Sequence, residues 1–210
     1  MVVKCMISNE KIRLLEVWRI NPFRELSTTE IMKESKKKTK TWVFNALKLL
    51  VNNNILKSTR KANLDIYSLK LENPLSFQLM QYLEVQSNLN FSKLNIISEI
   101  IEKVPIKDYS IIVFGSYAVN KQTKNSDLDI CILIENIEIE KKIKPYLNEI
   151  KLNYPITIDE HYFTFKDFVK MLLREEENLA KQIFIKHKLF YNSEIYYQLL
   201  KEAYKNGFRP

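Results

Sequence analysis

Two aspartates, Asp127 and Asp129, flank a single leucine, and a Gly115-Ser116 pair stands before them across a gap of ten residues. On a strand, residues i and i+2 share a face, so this spacing turns both carboxylates one way while Leu128 points into the core. Like charges that close repel, and a fold tolerates them where a cation sits between them. A glycine-serine turn leaves backbone N–H groups open to an anion, because glycine has no side chain in the way. A phosphate cradle facing a carboxylate pair is the arrangement that holds a nucleoside triphosphate with Mg²⁺.

The elements that must position these groups are legible around them. Ile111-Ile112-Val113-Phe114 has the length and β-branched content of a buried strand and stops at Gly115. A short helix is expected from Ser116 to about Lys121, and the apolar run Ile130 to Ile134 reads as a second core strand. Lys121 and Lys124 lie in the loop before the aspartates, where they can neutralise phosphate charge.

Gly115-Ser116, the ten-residue gap and Asp127-x-Asp129 resemble the signature of the DNA polymerase β-type nucleotidyltransferase superfamily, in particular its minimal nucleotidyltransferase branch, from about Tyr109 to the C-terminus. The resemblance implies an α/β core in which Gly115 and Ser116 hold the triphosphate and Asp127 and Asp129 bind two Mg²⁺ ions. The family usually carries a second glycine a few residues after the first; here Asn120 stands in that neighbourhood, and Asn tolerates left-handed backbone best after Gly. The resemblance also implies a third metal-binding acid. Pro155 to Phe163 reads as a strand; with Ile156 and Ile158 facing the core, Thr157, Asp159 and His161 face the site. Asp159 is the candidate and Glu160 the reserve, while His161 reads as an ordinary strand histidine.

The reaction implied is transfer of a nucleoside monophosphate from an NTP to a hydroxyl on nucleic acid, protein or a small molecule, with release of pyrophosphate. Two other functions are open: a transcriptional regulator whose degenerate nucleotidyltransferase domain senses nucleotide, and, from the resemblance alone, an antitoxin that modifies a protein partner.

Residues 1–73 read differently. Ile12, Leu14, Leu15, Val17 and Trp18 give a first helix its apolar stripe, ended by Asn21-Pro22. Ser27-Thr28-Thr29-Glu30 is a capping box with Leu26 and Ile31 placed as a hydrophobic staple. Val43, Ala46, Leu47 and Leu50 mark a third helix, and two short strands follow around Lys61-Ala62-Asn63. This order resembles a winged helix-turn-helix over about Ser8 to Leu71, which implies double-stranded DNA as a partner. Lys36, Lys37, Lys38, Thr39, Lys40, Thr41, Trp42 and Asn45 then lie at the N-terminal end of the recognition helix, with Arg60 and Lys61 on the wing.

Residues 74–104 read as a helical connector, one long helix or two parted near Ser87-Asn88, and its apolar stripes make a homodimer the expectation. Residues 105–210 form the nucleotidyltransferase-like domain. A helix carrying Ile139, Ile143, Leu147 and Ile150 is expected to split or kink at Pro145, and the tail from Lys166 to Tyr204 to be helical and without chemistry, with His187 exposed. The fold class is α+β: winged helix, connector, α/β domain, helical tail. The 210 residues carry a net charge of +8, which favours a polyanionic partner. Isolated Cys5 and Cys131 argue against thiolate metal sites and disulfides. No secretory leader or membrane-length apolar run is apparent, and a cytoplasmic location is expected.

Overall fold

The computed structural model describes residues 7–210, so Cys5 lies outside the described residues. The chain divides into two compact units, the first ending at Leu83 and the second running from Glu84 to Arg209.

In the first unit the expected first helix is a single α turn, α1 (Asn9–Ile12), continued as a 3₁₀ segment Arg13–Trp18. Leu14, Leu15 and Trp18 are buried, and the Trp18 indole N–H donates to the Arg24 carbonyl at 2.9 Å. Strand β1 (Glu25–Ser27), which the sequence reading did not contain, leads into α2 (Thr28–Glu34). The capping box forms as expected: Ser27 Oγ accepts from the Glu30 N–H at 3.3 Å and the Glu30 carboxylate accepts from the Ser27 N–H at 2.7 Å. Helix α3 (Lys40–Asn52) buries Val43, Ala46, Leu47 and Leu50 completely. Strands β2 (Leu56–Lys61) and β3 (Leu64–Leu69) form a hairpin, and β1 pairs with the far edge of β3, giving an antiparallel sheet in the order β1-β3-β2. Strand β1 is short and half polar, so only its partner reveals it.

Helix α4 (Pro74–Asn88) contains the boundary between the units, and α5 (Leu94–Lys103) belongs to the second. The second unit is built on a four-stranded sheet in the order β6-β5-β4-β7. Strand β4 (Tyr109–Val113) is buried throughout and runs into the single-turn helix α6 (Gly115–Ala118). Antiparallel to β4 runs β5 (Leu128–Ile134); α7 (Ile137–Leu152) then crosses over to β6 (Ile158–Thr164), parallel to β5. Leu128, Ile130, Ile132 and Ile134 share one face with a core drawn from α5 and α7. The other face is covered by α8 (Phe165–Leu173), α9 (Leu179–Ile185) and α10 (Ser193–Lys205), with strand β7 (Lys188–Tyr191) closing the sheet beside β4.

Three expectations are corrected here. Helix α7 runs unbroken through Pro145, because Pro145 and Lys141, four residues before it, are both exposed, so water can satisfy the freed carbonyl. The tail is not wholly helical, since Lys188, Leu189 and Tyr191 pair with β4 as a strand. His187 is buried, its Nδ1 2.8 Å from the Ile183 carbonyl and its ring packed on Tyr196 at 4.8 Å. Among the described residues no helix is long and apolar enough to cross a membrane.

The capping box carries a quantitative expectation: Ser27→Ala should destabilise the first unit by about 1 kcal/mol. Urea unfolding followed by Trp18 fluorescence would show it, and an unchanged midpoint would mean that the cap contributes nothing to α2.

Candidate active site

The chain reaches the site at the end of β4. Gly115 sits at φ +66°, a conformation costly for any residue with a Cβ, and this turns the chain sharply from strand into α6. A second reason for glycine is steric. A methyl group on Gly115 would run into the Asp129 carboxylate, whose Cγ would stand 2.9 Å from it. The space the glycine opens is thus filled by the protein's own carboxylate. Asn120 closes the turn after α6 at φ +55°, the left-handed conformation expected where the family usually has glycine.

Asp127 is exposed just before β5, and Asp129 is half-buried within it. The parallel register aligns Leu128 with Ile158, Asp129 with Asp159 and Cys131 with His161. Ile158 lies in the core, so Asp159 and His161 turn to the opposite face, that of Asp129. Glu160 faces the other way and pairs with Lys151, whose ammonium pKa is pushed down by burial. The register therefore separates the two acids that the sequence left open: Asp159 stands beside Asp129 and Glu160 does not.

Burial raises the Asp129 carboxyl pKa above its ordinary value, the charges of Asp159 and Asp127 add to the rise, and His161 opposes it. His161 Nε2 lies 3.1 Å from Asp159 Oδ2, and its ring packs on Phe114, the residue before Gly115, at 5.5 Å. His161, expected on this face as an ordinary strand histidine, thus stands in contact with Asp159.

A pocket of about 550 Å³ opens beside Asp129, lined by Gly115, Ser116, Lys121 and Asp129 and, from the tail, by Gln182 and Lys186 around α9, whereas Asp127, Asp159 and His161 do not line it. Lys121 lines the pocket and Lys124 does not. Gln182 and Lys186 come from the tail to which the sequence reading gave no chemistry. The signal that would have found them is the strand-like Lys188-Leu189-Phe190-Tyr191 just beyond, which draws the end of α9 to the edge of β4. Cys131 is fully buried, and burial pushes its thiol pKa up, so it takes no part.

In the first unit, Lys36, Lys38, Thr39, Lys40, Thr41 and Asn45 are exposed around the start of α3. Thr41, Phe44, Asn45 and Lys48 form the exposed stripe of that helix; Phe44, 47% exposed, and Lys48 were not among the sequence candidates. Lys37 lies over the Trp42 ring at 4.9 Å and 3.8 Å from Glu10. Arg60 pairs with Asp65 at 3.0 Å and Lys61 pairs with Glu25, so the two hairpin cations are internally compensated.

Residues 94–191 match the family model of the nucleotidyltransferase domain. These residues of the second unit are thus similar to a nucleotidyltransferase domain, and nucleoside monophosphate transfer is the chemistry such a domain supports. No curated protein and no solved structure matches the chain.

The raised pKa of Asp129 has a signed consequence. Its folded-state pKa lies above the unfolded value, so the stability it contributes is present at low pH and lost as pH rises through the folded pKa. Asp129→Asn should therefore melt above the wild type at neutral pH in the absence of ligand, with the gap narrowing on acidification. Scanning calorimetry from about pH 3.5 to 7.5, a range spanning the ordinary carboxyl pKa, checks this, and a gap independent of pH would refute the electrostatic origin.

Proposed function

We propose that the second unit transfers a nucleoside monophosphate from an NTP to a hydroxyl acceptor with Mg²⁺, and that the first unit is a winged helix bringing it to double-stranded DNA. The observation that carries the catalytic half is the β5–β6 register, which sets Asp159 beside Asp129 against the glycine turn.

The residues fit a magnesium site by their donor chemistry, since Asp127, Asp129 and Asp159 offer only hard carboxylate oxygens and Asp129 carries a charge its surroundings disfavour. Among the described residues no three His, Cys, Asp or Glu side chains stand together as a ready metal group. These three aspartates would hold the metal, which when bound offsets phosphate charge and lowers the pKa of an acceptor hydroxyl.

The chain's own residues do the rest. The Gly115 and Ser116 N–H groups and the Ser116 hydroxyl orient the β- and γ-phosphates, and Lys121, aided by Lys124 from the loop, offsets charge on the leaving group. Asp159, 55% exposed and hydrogen-bonded at Oδ2 to His161, is the carboxylate that meets the incoming acceptor. In the reaction the acceptor oxygen bonds to the α-phosphorus, the bond to pyrophosphate breaks so that pyrophosphate leaves with its electron pair, and the hydroxyl proton passes to solvent. The contact between Asp159 and His161 and the dispersed carboxylates favour a second reading, in which the domain senses nucleotide without turnover and the protein acts as a DNA-binding regulator or antitoxin.

The DNA half rests on charge placement. Lys36, Lys38 and Lys40 are exposed and carry no ion pair among the described residues, and they gather at the end of α3 that would enter the major groove. Thr39, Thr41 and Lys37 contact phosphate there, with Trp42 supporting Lys37, and Asn45 reads a base edge. Arg60 and Lys61 contribute less, their charges being already paired. Pseudo-palindromic sites would be met by a homodimer, and the buried, unpaired thiol of Cys131 accords with a cytoplasmic setting.

Calorimetry with each of the four NTPs and Mg²⁺ should show binding to wild type and none to Asp127→Asn/Asp129→Asn, with DNA affinity nearly equal in the two proteins. Equal nucleotide affinity in both would remove the metal assignment; pyrophosphate release in the same samples separates transfer from sensing. For DNA, replacing Lys36, Lys37, Lys38 and Lys40 with alanine should lower the slope of log K against log salt by about one for every phosphate these lysines neutralise. An unchanged slope would remove this face of α3 from the interface.

A further inference from the structure

We infer that Lys186, at the end of α9, is a nucleotide-binding residue that meets the triphosphate together with Lys121, so that the tail forms part of the substrate pocket. This rests on the nucleotidyltransferase reading and adds to it a residue outside the glycine turn and the aspartates.

Register argues for it first. Strand β7 pairs antiparallel with β4, with Val113 opposite Lys188, so the ladder ends two residues before Lys186 is reached on one strand and two residues before Gly115 on the other. The pocket agrees with this proximity, since Gly115, Ser116, Lys121, Asp129 and Lys186 line the same 550 Å³ space.

Rigidity argues for it second. Ile183 and Phe184 on one side of Lys186 are buried, and so is His187 on the other. The His187 ring is held by the carbonyls of Ile183 and Phe184, at 2.8 and 3.2 Å, and by Tyr196. Asn178 caps the start of α9, its side chain accepting from the Lys181 N–H at 3.2 Å, and also donates to the Met171 carbonyl at 2.7 Å. Lys186 itself is exposed in extended backbone, φ −143° and ψ 94°. A side chain projecting into a pocket from a backbone fixed at both flanks loses little freedom on binding.

Charge argues for it third. Neither Lys121 nor Lys186 has an ion pair with a carboxylate among the described residues, although Asp129 lines the same pocket. Two such ammonium groups lining a pocket with one carboxylate suit a ligand with several negative charges at one end, which describes a triphosphate better than a nucleoside or a monophosphate.

The test is calorimetric titration of wild type, Lys186→Ala, Lys186→Arg and Lys205→Ala with ATP, GTP, CTP and UTP in Mg²⁺, and with the corresponding monophosphates. Lys186→Ala should weaken binding of the preferred triphosphate about ten- to a hundredfold, leaving the monophosphate within about twofold. Lys186→Arg should recover most of that affinity, and Lys205→Ala, an exposed lysine on α10, should bind as the wild type does. Equal weakening for triphosphate and monophosphate would mean a distorted pocket and would overturn the inference. A wild-type protein that binds triphosphate and an alanine variant that binds it equally well would also overturn it while leaving the nucleotidyltransferase reading in place. Failure of the wild type to bind any of the four triphosphates would overturn that reading and the inference with it.

Discussion

The second unit depends on one uncomfortable placement. The Asp129 carboxylate is half-buried, beside Asp159 in register, close enough to Asp127 for its charge to be felt, and packed where only a glycine leaves room. The burial and the two neighbouring charges oppose ionisation. A carboxylate held there has to be supported by the surrounding fold, and the surroundings show how. The strand that carries it alternates it with Leu128, Ile130, Ile132 and Ile134, all buried among α5 and α7. A slip of one residue would exchange aspartate and leucine between faces, exposing apolar surface and burying charge, so the apolar face fixes the register of the polar one.

The same logic decides between neighbouring acids on β6. Asp159 and Glu160 are adjacent, and the sequence pattern left the second in reserve. Parallel pairing to β5 turns alternate residues to opposite faces, and Ile158 is in the core, so Asp159 goes to the site while Glu160 meets Lys151. Period-two alternation suggested this; knowing which strand lay alongside settled the register. The glycine turn and the placing of Asp127 and Asp129 at the start of β5 were legible as local patterns beside strong apolar signatures, whereas the choice between Asp159 and Glu160 needed the register. The capping box of α2 and the apolar stripe of α3 were legible for the same reason.

What was not legible depended on partners far away in the chain. Strand β1 has three residues, and its apolar content is a single leucine, so nothing local distinguishes it from a loop; it exists because β3 offers an edge. Strand β7 follows a helix without a glycine or proline between them, and its four residues merge into a helical pattern until β4 is placed beside them. The tail's contribution to the pocket was hidden for that reason. His187 is the sharpest case. Flanked by Lys186 and Lys188 it reads as surface, yet it turns inward at the junction of α9 and β7 and packs on Tyr196.

Charge shows a related limit of whole-chain reasoning. A net +8 favours an anionic partner without saying where. In the structure the cations separate by what surrounds them. Arg60, Lys61 and, at 3.8 Å, Lys37 face carboxylates of their own unit, whereas Lys36, Lys38 and Lys40 do not. An exposed ion pair stabilises the folded state little and withdraws charge from any partner, so a compensated lysine and an uncompensated one are different objects, though a sequence counts them alike. Lys121 and Lys186 are uncompensated as well, and they lie with Ser116 and Asp129 around a pocket. In each unit lysines without an ion pair among the described residues thus stand near a feature of the fold that an anion could meet, the start of α3 in one and the glycine turn in the other.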